Sequence, residues 1–194
     1  MIYMDDVEIE ITVQIENSKP LLDFLEKEAE FKKEKHQIDE YFSPAHRNFI
    51  EIRPVKEWLR LRSEDGEYSL NYKNWHYDGN GENAHYCDEY ETEIKNIDKI
   101  RKILEVLNFK SLVIVDKTRK TWVWKDYEID VDTVKGLGDF VEIEYIGSEE
   151  VDPKEKTDEM VAFLKKLGCG KLKRDFVGYP FKLLFPDEAR FKEE

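Results

Sequence analysis

The segment Val7–Glu16 constrains this chain more than any other. Val7, Ile9, Ile11, Val13 and Ile15 alternate without interruption with Glu8, Glu10, Thr12, Gln14 and Glu16. A period of two puts all the apolar side chains on one side of an extended strand and all the polar ones on the other. Such a strand belongs in a sheet that buries one face and either solvates or encloses the opposite one. Asn17, Ser18 and Pro20 then supply helix-start chemistry, and Leu21, Leu22, Leu25 and Ala29 fall at helical spacing before the charged stretch Lys32 to Lys35. A first helix is expected over about residues 19–33.

The period of two returns between His36 and Lys95. Strands are expected over 38–42, 49–53, 57–62, 68–74 and 86–94, punctuated by Ser43-Pro44, Asp65-Gly66 and Gly79-Asn80-Gly81. Ile97, Ile100, Ile103, Leu104 and Leu107 after Asn96 mark a second helix, with Asn108 as a left-handed stop. Strands over 112–119, 121–124, 127–132 and 140–146 follow. Asp152-Pro153 then opens a third helix carrying Met160, Phe163, Leu164 and Leu167, closed by Gly168. Runs of strands separated by single helices point to an α+β antiparallel sheet rather than βαβ units. At 194 residues a single domain over 1–194 is expected, its first strand–helix–strands block loosely echoing the second.

The formal charge of −13 disfavours nucleic acid and anionic membranes as partners. Cys87 and Cys169 form no CxxC, so neither a disulfide framework nor a structural zinc is indicated. Asp5, Asp6, Glu8 and Glu10 stand where a signal peptide carries an apolar run, and no stretch approaches the ~20 apolar residues of a membrane span. A cytoplasmic protein is expected.

The polar strand faces carry charges of both signs at period-two positions: Glu8 and Glu10; Arg60 and Arg62; Lys73; Glu89, Glu91 and Glu93; Lys117 and Arg119; Asp130; Glu142 and Glu144. For any one strand, a solvated outer face accounts for this. A closed sheet could instead wrap several such faces around a wet interior, with helices on the apolar exterior. Carboxylates spaced i, i+2, as in Glu8/Glu10 and Glu142/Glu144, are hard oxygen ligands suited to Mg²⁺ or Mn²⁺. Arginines and lysines opposite them call for an anion, and phosphate matches the guanidinium fork.

Taken in order, these residues resemble the CYTH superfamily of triphosphate tunnel metalloenzymes, which includes class IV adenylate cyclases, thiamine triphosphatases and inorganic triphosphatases. The family's ExExK strand corresponds to Glu8-Ile9-Glu10-Ile11-Thr12, with Thr12 in place of the lysine. Gln37-Ile38-Asp39-Glu40-Tyr41-Phe42, Leu59-Arg60-Leu61-Arg62, Leu70-Asn71-Tyr72-Lys73 and Glu89-Tyr90-Glu91-Thr92-Glu93 follow in register with the pattern. Lys117-Thr118-Arg119 matches the KxR strand, and Asp130 followed by Gly136-Leu137-Gly138-Asp139-Phe140-Val141-Glu142-Ile143-Glu144 matches the most specific block. Tyr179 has a counterpart in a C-terminal segment.

The resemblance implies a closed eight-stranded antiparallel barrel, or tunnel, with flanking helices. It implies that Glu8, Glu10, Asp130, Glu142 and Glu144 hold Mg²⁺ or Mn²⁺. Arg60, Arg62, Lys73, Glu91, Lys117 and Arg119 would form the substrate site, and Glu8, Glu10, Tyr41 and Arg119 would be catalytic. The substrate would be ATP, thiamine triphosphate or tripolyphosphate, and a homodimer is compatible with related tunnels. The implied reaction is conversion of ATP to cyclic AMP and pyrophosphate, or hydrolysis of a terminal phosphate. Thr12, which carries no charge, also leaves room for a non-catalytic triphosphate binder.

Overall fold

The structure, a computed structural model, describes residues 9–77, 84–148, 151–188 and 192–193. Glu8 lies outside them. The chain resolves into two compact units, one formed by residues 1–35 and 117–194 and the other by 36–116. In chain order the elements are β1 (Glu10–Ile15), α1 (Lys19–Glu28), β2 (Glu30–Pro44), β3 (Glu57–Glu64), β4 (Glu67–Tyr77) and β5 (Ala84–Glu93). They continue with α2 (Ile97–Val106), β6 (Phe109–Trp124), β7 (Tyr127–Val134), β8 (Gly138–Tyr145), α3 (Pro153–Leu167), β9 (Leu172–Asp175), α4 (Gly178–Leu184) and β10 (Lys192–Glu193).

The antiparallel α+β expectation holds, but closure and strand number need correction. The hydrogen-bonded order is β10-β9-β1-β8-β7-β6-β2-β3-β4-β5, nine strands of four residues or more plus the two-residue β10. Among the described residues this order has two open ends, so hydrogen bonds do not close it into an eight-stranded barrel. Within the first unit β9 pairs along the edge of β1 that β8 leaves free (Thr12 opposite Asp175, Ile15 opposite Leu172).

In the first unit, Ile11, Val13 and Ile15 of β1 join Trp122, Ile129, Val131, Val141 and Ile143 in one buried cluster. Leu21 and Leu25 of α1 and Met160, Val161 and Leu164 of α3 cover it. Burial of each such side chain contributes about 1.5–3 kcal/mol, which fixes the strand register because a one-residue slip would turn all of them outward. In the second unit α2 does the same with Leu104 over Phe42 and Leu61, flanked by Leu59, Leu70, Ile97 and Ile100. In both units the helices take the apolar face, and the charged positions share the opposite one.

Local chemistry explains the boundaries. Asp65 (φ 47°) and Gly66 (φ 93°) both lie in the left-handed region between the paired Glu64 and Glu67, as a two-residue hairpin demands. Asn96 and Asp152 accept hydrogen bonds from the amides of Lys99 and Glu155, and Asn108 (φ 64°) and Gly168 (φ 81°) stop the helices as expected. Three expectations fail. α1 ends at Glu28, and the charged run 30–35 opens β2 instead of prolonging the helix. Residues 49–53 form no strand: the Ser43 hydroxyl accepts from the Phe49 amide at 2.8 Å and Asn48 Oδ1 accepts from the Ile50 amide at 3.3 Å, which curls the chain locally. The separate strands 112–119 and 121–124 are one strand, β6. The elements β9 and α4 have no counterpart among the expected ones.

Candidate functional site

In the first unit the ladders place the charged residues in adjacent rows. One row runs Arg119–Asp132–Phe140–Gln14–Lys173, the next Thr121–Asp130–Glu142–Thr12–Asp175, and a third Glu128–Glu144–Glu10. Arg119 lies at the centre. Its Nε and Nη2 donate to Asp132 Oδ1 and Oδ2, each at 2.7 Å; Nη1 donates to Asp130 Oδ2 at 2.6 Å; Nη1 and Nη2 donate to Glu142 at 3.3 and 3.1 Å. Three carboxylates therefore share one guanidinium.

Asp132 is fully buried and is the hub of the cluster. Besides Arg119, its Oδ2 accepts from Lys117 Nζ at 2.7 Å and from the Tyr179 hydroxyl at 2.8 Å. Burial alone would raise its pKa, but hydrogen bonds from Arg119 and the charge of Lys117 bring it down to about 2. Asp130 behaves oppositely: burial dominates and holds it above the ordinary carboxylate value, although Arg119 and the Thr121 hydroxyl pull it down. Burial also depresses Lys117 and raises Tyr179, the latter with help from Asp132. Two carboxylates two residues apart on β7 are thus pushed in opposite directions.

The short helix α4 brings Tyr179 to this face. Asp175 Oδ1 accepts from the amides of Val177 and Gly178 at 3.0 and 3.2 Å, and Oδ2 pairs with Lys182 Nζ at 2.6 Å. The Tyr179 ring meets Phe140 edge-on at 4.9 Å, and the Lys182 ammonium lies 4.4 Å from the Phe140 ring centre.

The second unit carries a simpler cluster. Arg62, directly opposite Asp39, donates to it through Nε and Nη2 at 2.7 Å each, and Arg60 reaches the same aspartate at 3.4 Å. Tyr41 is buried opposite Arg60, with its ring edge-on to Trp58 at 5.5 Å. Burial, then the charge of Asp39, raises its pKa. Lys73 pairs with Glu89 at 2.9 Å, Arg60 with Glu91 at 3.7 Å, and Asn71 donates to both glutamates. A cavity of about 490 Å³ opens beside Arg62, lined also by Ser69, Glu91 and Glu93.

The structure thus gathers Lys117, Arg119, Asp130 and Glu142 in the first unit, with Glu10 and Glu144 opposite each other in the next row. Arg60, Arg62, Lys73, Glu91 and Tyr41 lie in neighbouring rows of the second unit. Sequence reasoning passed over Asp39 and Asp132 as site residues, although each lies two positions from one that was singled out. The missing signal was the register that sets each opposite an arginine.

The donor chemistry of Asp130, Glu142, Glu10 and Glu144 fits a hard divalent cation, being carboxylate oxygen throughout. Among the described residues, however, no three His, Cys, Asp or Glu side chains converge as a metal cage. Arg119 is bonded between Asp130 and Glu142.

The CYTH domain matches residues 4–176, and the chain belongs to that family. A Methanocaldococcus jannaschii protein named "Putative adenylate cyclase MJ0240" is 34% identical over 167 residues, covering 85% of this chain and 91% of that one. The PH1819 protein of Pyrococcus horikoshii superposes with a TM-score of 0.67 at 28% identity, over 94% of this chain and all of its own. The Hippeastrum protein HpAC1, described as having a dominant triphosphatase activity, superposes at 0.63 over 95% and 97% of the two chains. At 20% identity that likeness speaks to the fold alone. No helix among the described residues is long and apolar enough to cross a membrane.

Proposed function

We propose that the whole chain acts as one CYTH-type enzyme that binds a triphosphate with Mg²⁺ or Mn²⁺ and converts ATP to cyclic AMP and pyrophosphate. The observation that carries this reading is the interleaving of fixed guanidinium and carboxylate groups on the polar face of each unit, which suits a polyanion accompanied by a cation. Membership of the family and the name of the Methanocaldococcus relative support the same direction.

In the first unit, Asp130 and Glu142, with Glu10 and Glu144 in the adjoining row and Glu8 before them, would hold the cation. When bound, the cation would neutralise phosphate oxygens and polarise the phosphorus under attack. Lys117 and Arg119 would stabilise charge that develops on the leaving group. In the second unit Arg60, Arg62 and Lys73 would orient phosphate oxygens, with Asp39 fixing the direction of both arginine forks. Tyr41, its proton held by burial, would donate a hydrogen bond rather than act as a base at neutral pH. In a cyclase the ribose 3′-hydroxyl attacks the α-phosphorus; in a triphosphatase water attacks the terminal one.

Thr12 favours one alternative, a binder without turnover. It lies opposite Glu142 and Asp175 and brings a hydroxyl where the family pattern has an ammonium. Incubation of the protein with ATP, thiamine triphosphate and tripolyphosphate, each with Mg²⁺ or Mn²⁺, followed by product separation, decides among these. Cyclic AMP with pyrophosphate supports the cyclase; free phosphate supports the triphosphatase. Tripolyphosphate binding without any turnover, with Thr12→Lys restoring activity, supports the binder.

A further inference from the structure

A guanidinium has five N–H donors, and those of Arg119 are all engaged. Nε–H and one Nη2–H go to Asp132, one Nη1–H goes to Asp130, and the remaining Nη1–H and Nη2–H go to Glu142. In this arrangement Arg119 has no N–H to offer an anion. Equally, Asp130 Oδ2 and both oxygens of Glu142 each accept from Arg119, so a cation that approaches them meets the positive guanidinium and competes with it for these oxygens.

The grip on the arginine is uneven. Asp132 holds the Nε/Nη2 edge with two bonds of 2.7 Å and is itself held by Lys117 and Tyr179. Glu142 holds it with longer bonds, and its side chain is 30% exposed against 1% for Asp132. Any exchange of partners would therefore begin at Glu142 and pivot on Asp132.

From this geometry we infer that Arg119 is the resident competitor of a divalent cation for Asp130 and Glu142, and that cation entry hands three of its N–H groups to an incoming anion. The inference rests on the reading that these carboxylates hold a cation. Asp132 keeps the side chain in place during the exchange, so cation and anion reinforce each other's binding. Each ligand removes the partner that blocks the other. This differs from simple charge attraction, because it depends on the fork of the side chain rather than on its charge.

Calorimetric titration of Mn²⁺ into the full chain without any anion provides the test. Arg119→Lys keeps the positive charge but cannot span three carboxylates, and it is expected to bind Mn²⁺ about tenfold more tightly than the wild type. If the wild type binds Mn²⁺ and the variant binds it equally or less tightly, the exchange is refuted while the metal reading stands. If neither protein binds Mn²⁺, the metal reading itself fails and the exchange with it.

A second measurement does not depend on Arg119→Lys folding. In chelator, without metal, Glu142→Gln replaces one of the two oxygens that accept from Arg119 with an N–H donor and so frees one N–H group of Arg119, whereas Glu144→Gln removes the same charge two residues along the same strand. Tripolyphosphate should bind Glu142→Gln about tenfold more tightly than Glu144→Gln. Equal affinities for the two variants overturn the inference.

Discussion

The two units build the same device and load it differently. In each, an aspartate directly across a strand pair grips an arginine through Nε and Nη2 with two bonds of 2.7 Å: Asp39 with Arg62, and Asp132 with Arg119. In the second unit a further arginine, Arg60, leans on the one aspartate. In the first, Asp130 and Glu142 crowd onto the one arginine. At the clamp itself, two arginines therefore meet one aspartate in the second unit, whereas three carboxylates meet one arginine in the first, although the strand geometry is shared. A bidentate clamp sets direction, and the residues one row away set how many partners the clamped pair must share.

Breaking the two clamps should expose their unequal burdens. Asp132→Asn leaves the buried Lys117, and Arg119 beside it, against a neutral group, and unfolding monitored by denaturant titration should show a loss of about 3–5 kcal/mol. Asp39→Asn leaves Arg62 and Arg60, 20% and 16% exposed, without a cation as buried as Lys117 beside them; a loss of about 2 kcal/mol is expected in the same experiment. Equal losses would show that the crowding around Asp132 adds nothing.

Acid provides a gentler probe of the same hub. Asp132 titrates at about 2 in the folded protein against an ordinary 3.8, so between those values the native state binds fewer protons than the unfolded chain. Its contribution of about 2 kcal/mol is fully present above pH about 4 and is lost as the pH falls through about 2. The difference in stability between wild type and Asp132→Asn should shrink over that window, and a constant difference would contradict the assignment.

The strands of both units were legible because each charged face is backed by an apolar one, as with Ile129 and Val131 alternating with Asp130 and Asp132. Helix caps such as Asn96 and Asp152 were legible for the same reason: their chemistry is local. What local chemistry does not contain was lost. The run Glu30–Lys35 has no apolar period and is made largely of good helix formers, so only pairing within the sheet makes it a strand. The segments of β9 and α4 are too short to show a period. Arg119, Lys117, Asp130 and Glu142 could be picked out by spacing, but an aspartate that clamps an arginine looks the same in sequence as one that binds a cation. Only the pairing of residue 119 with 132, and of 62 with 39, separates the two roles.

The back-to-back arrangement on β7 and β8 has a genetic consequence. Ile129 pairs with Ile143 in the core, and one step along, Asp130 pairs with Glu142 on the charged face. A substitution at either layer changes one side chain and leaves the alternation intact. A single-codon insertion or deletion within β7 does not, because it exchanges the two layers beyond that point, turning carboxylates towards α3 and isoleucines towards Arg119. Length variation among natural relatives is therefore expected to collect in the hairpin turns, such as Lys125-Asp126 and Lys135–Leu137, and to spare the strands between them.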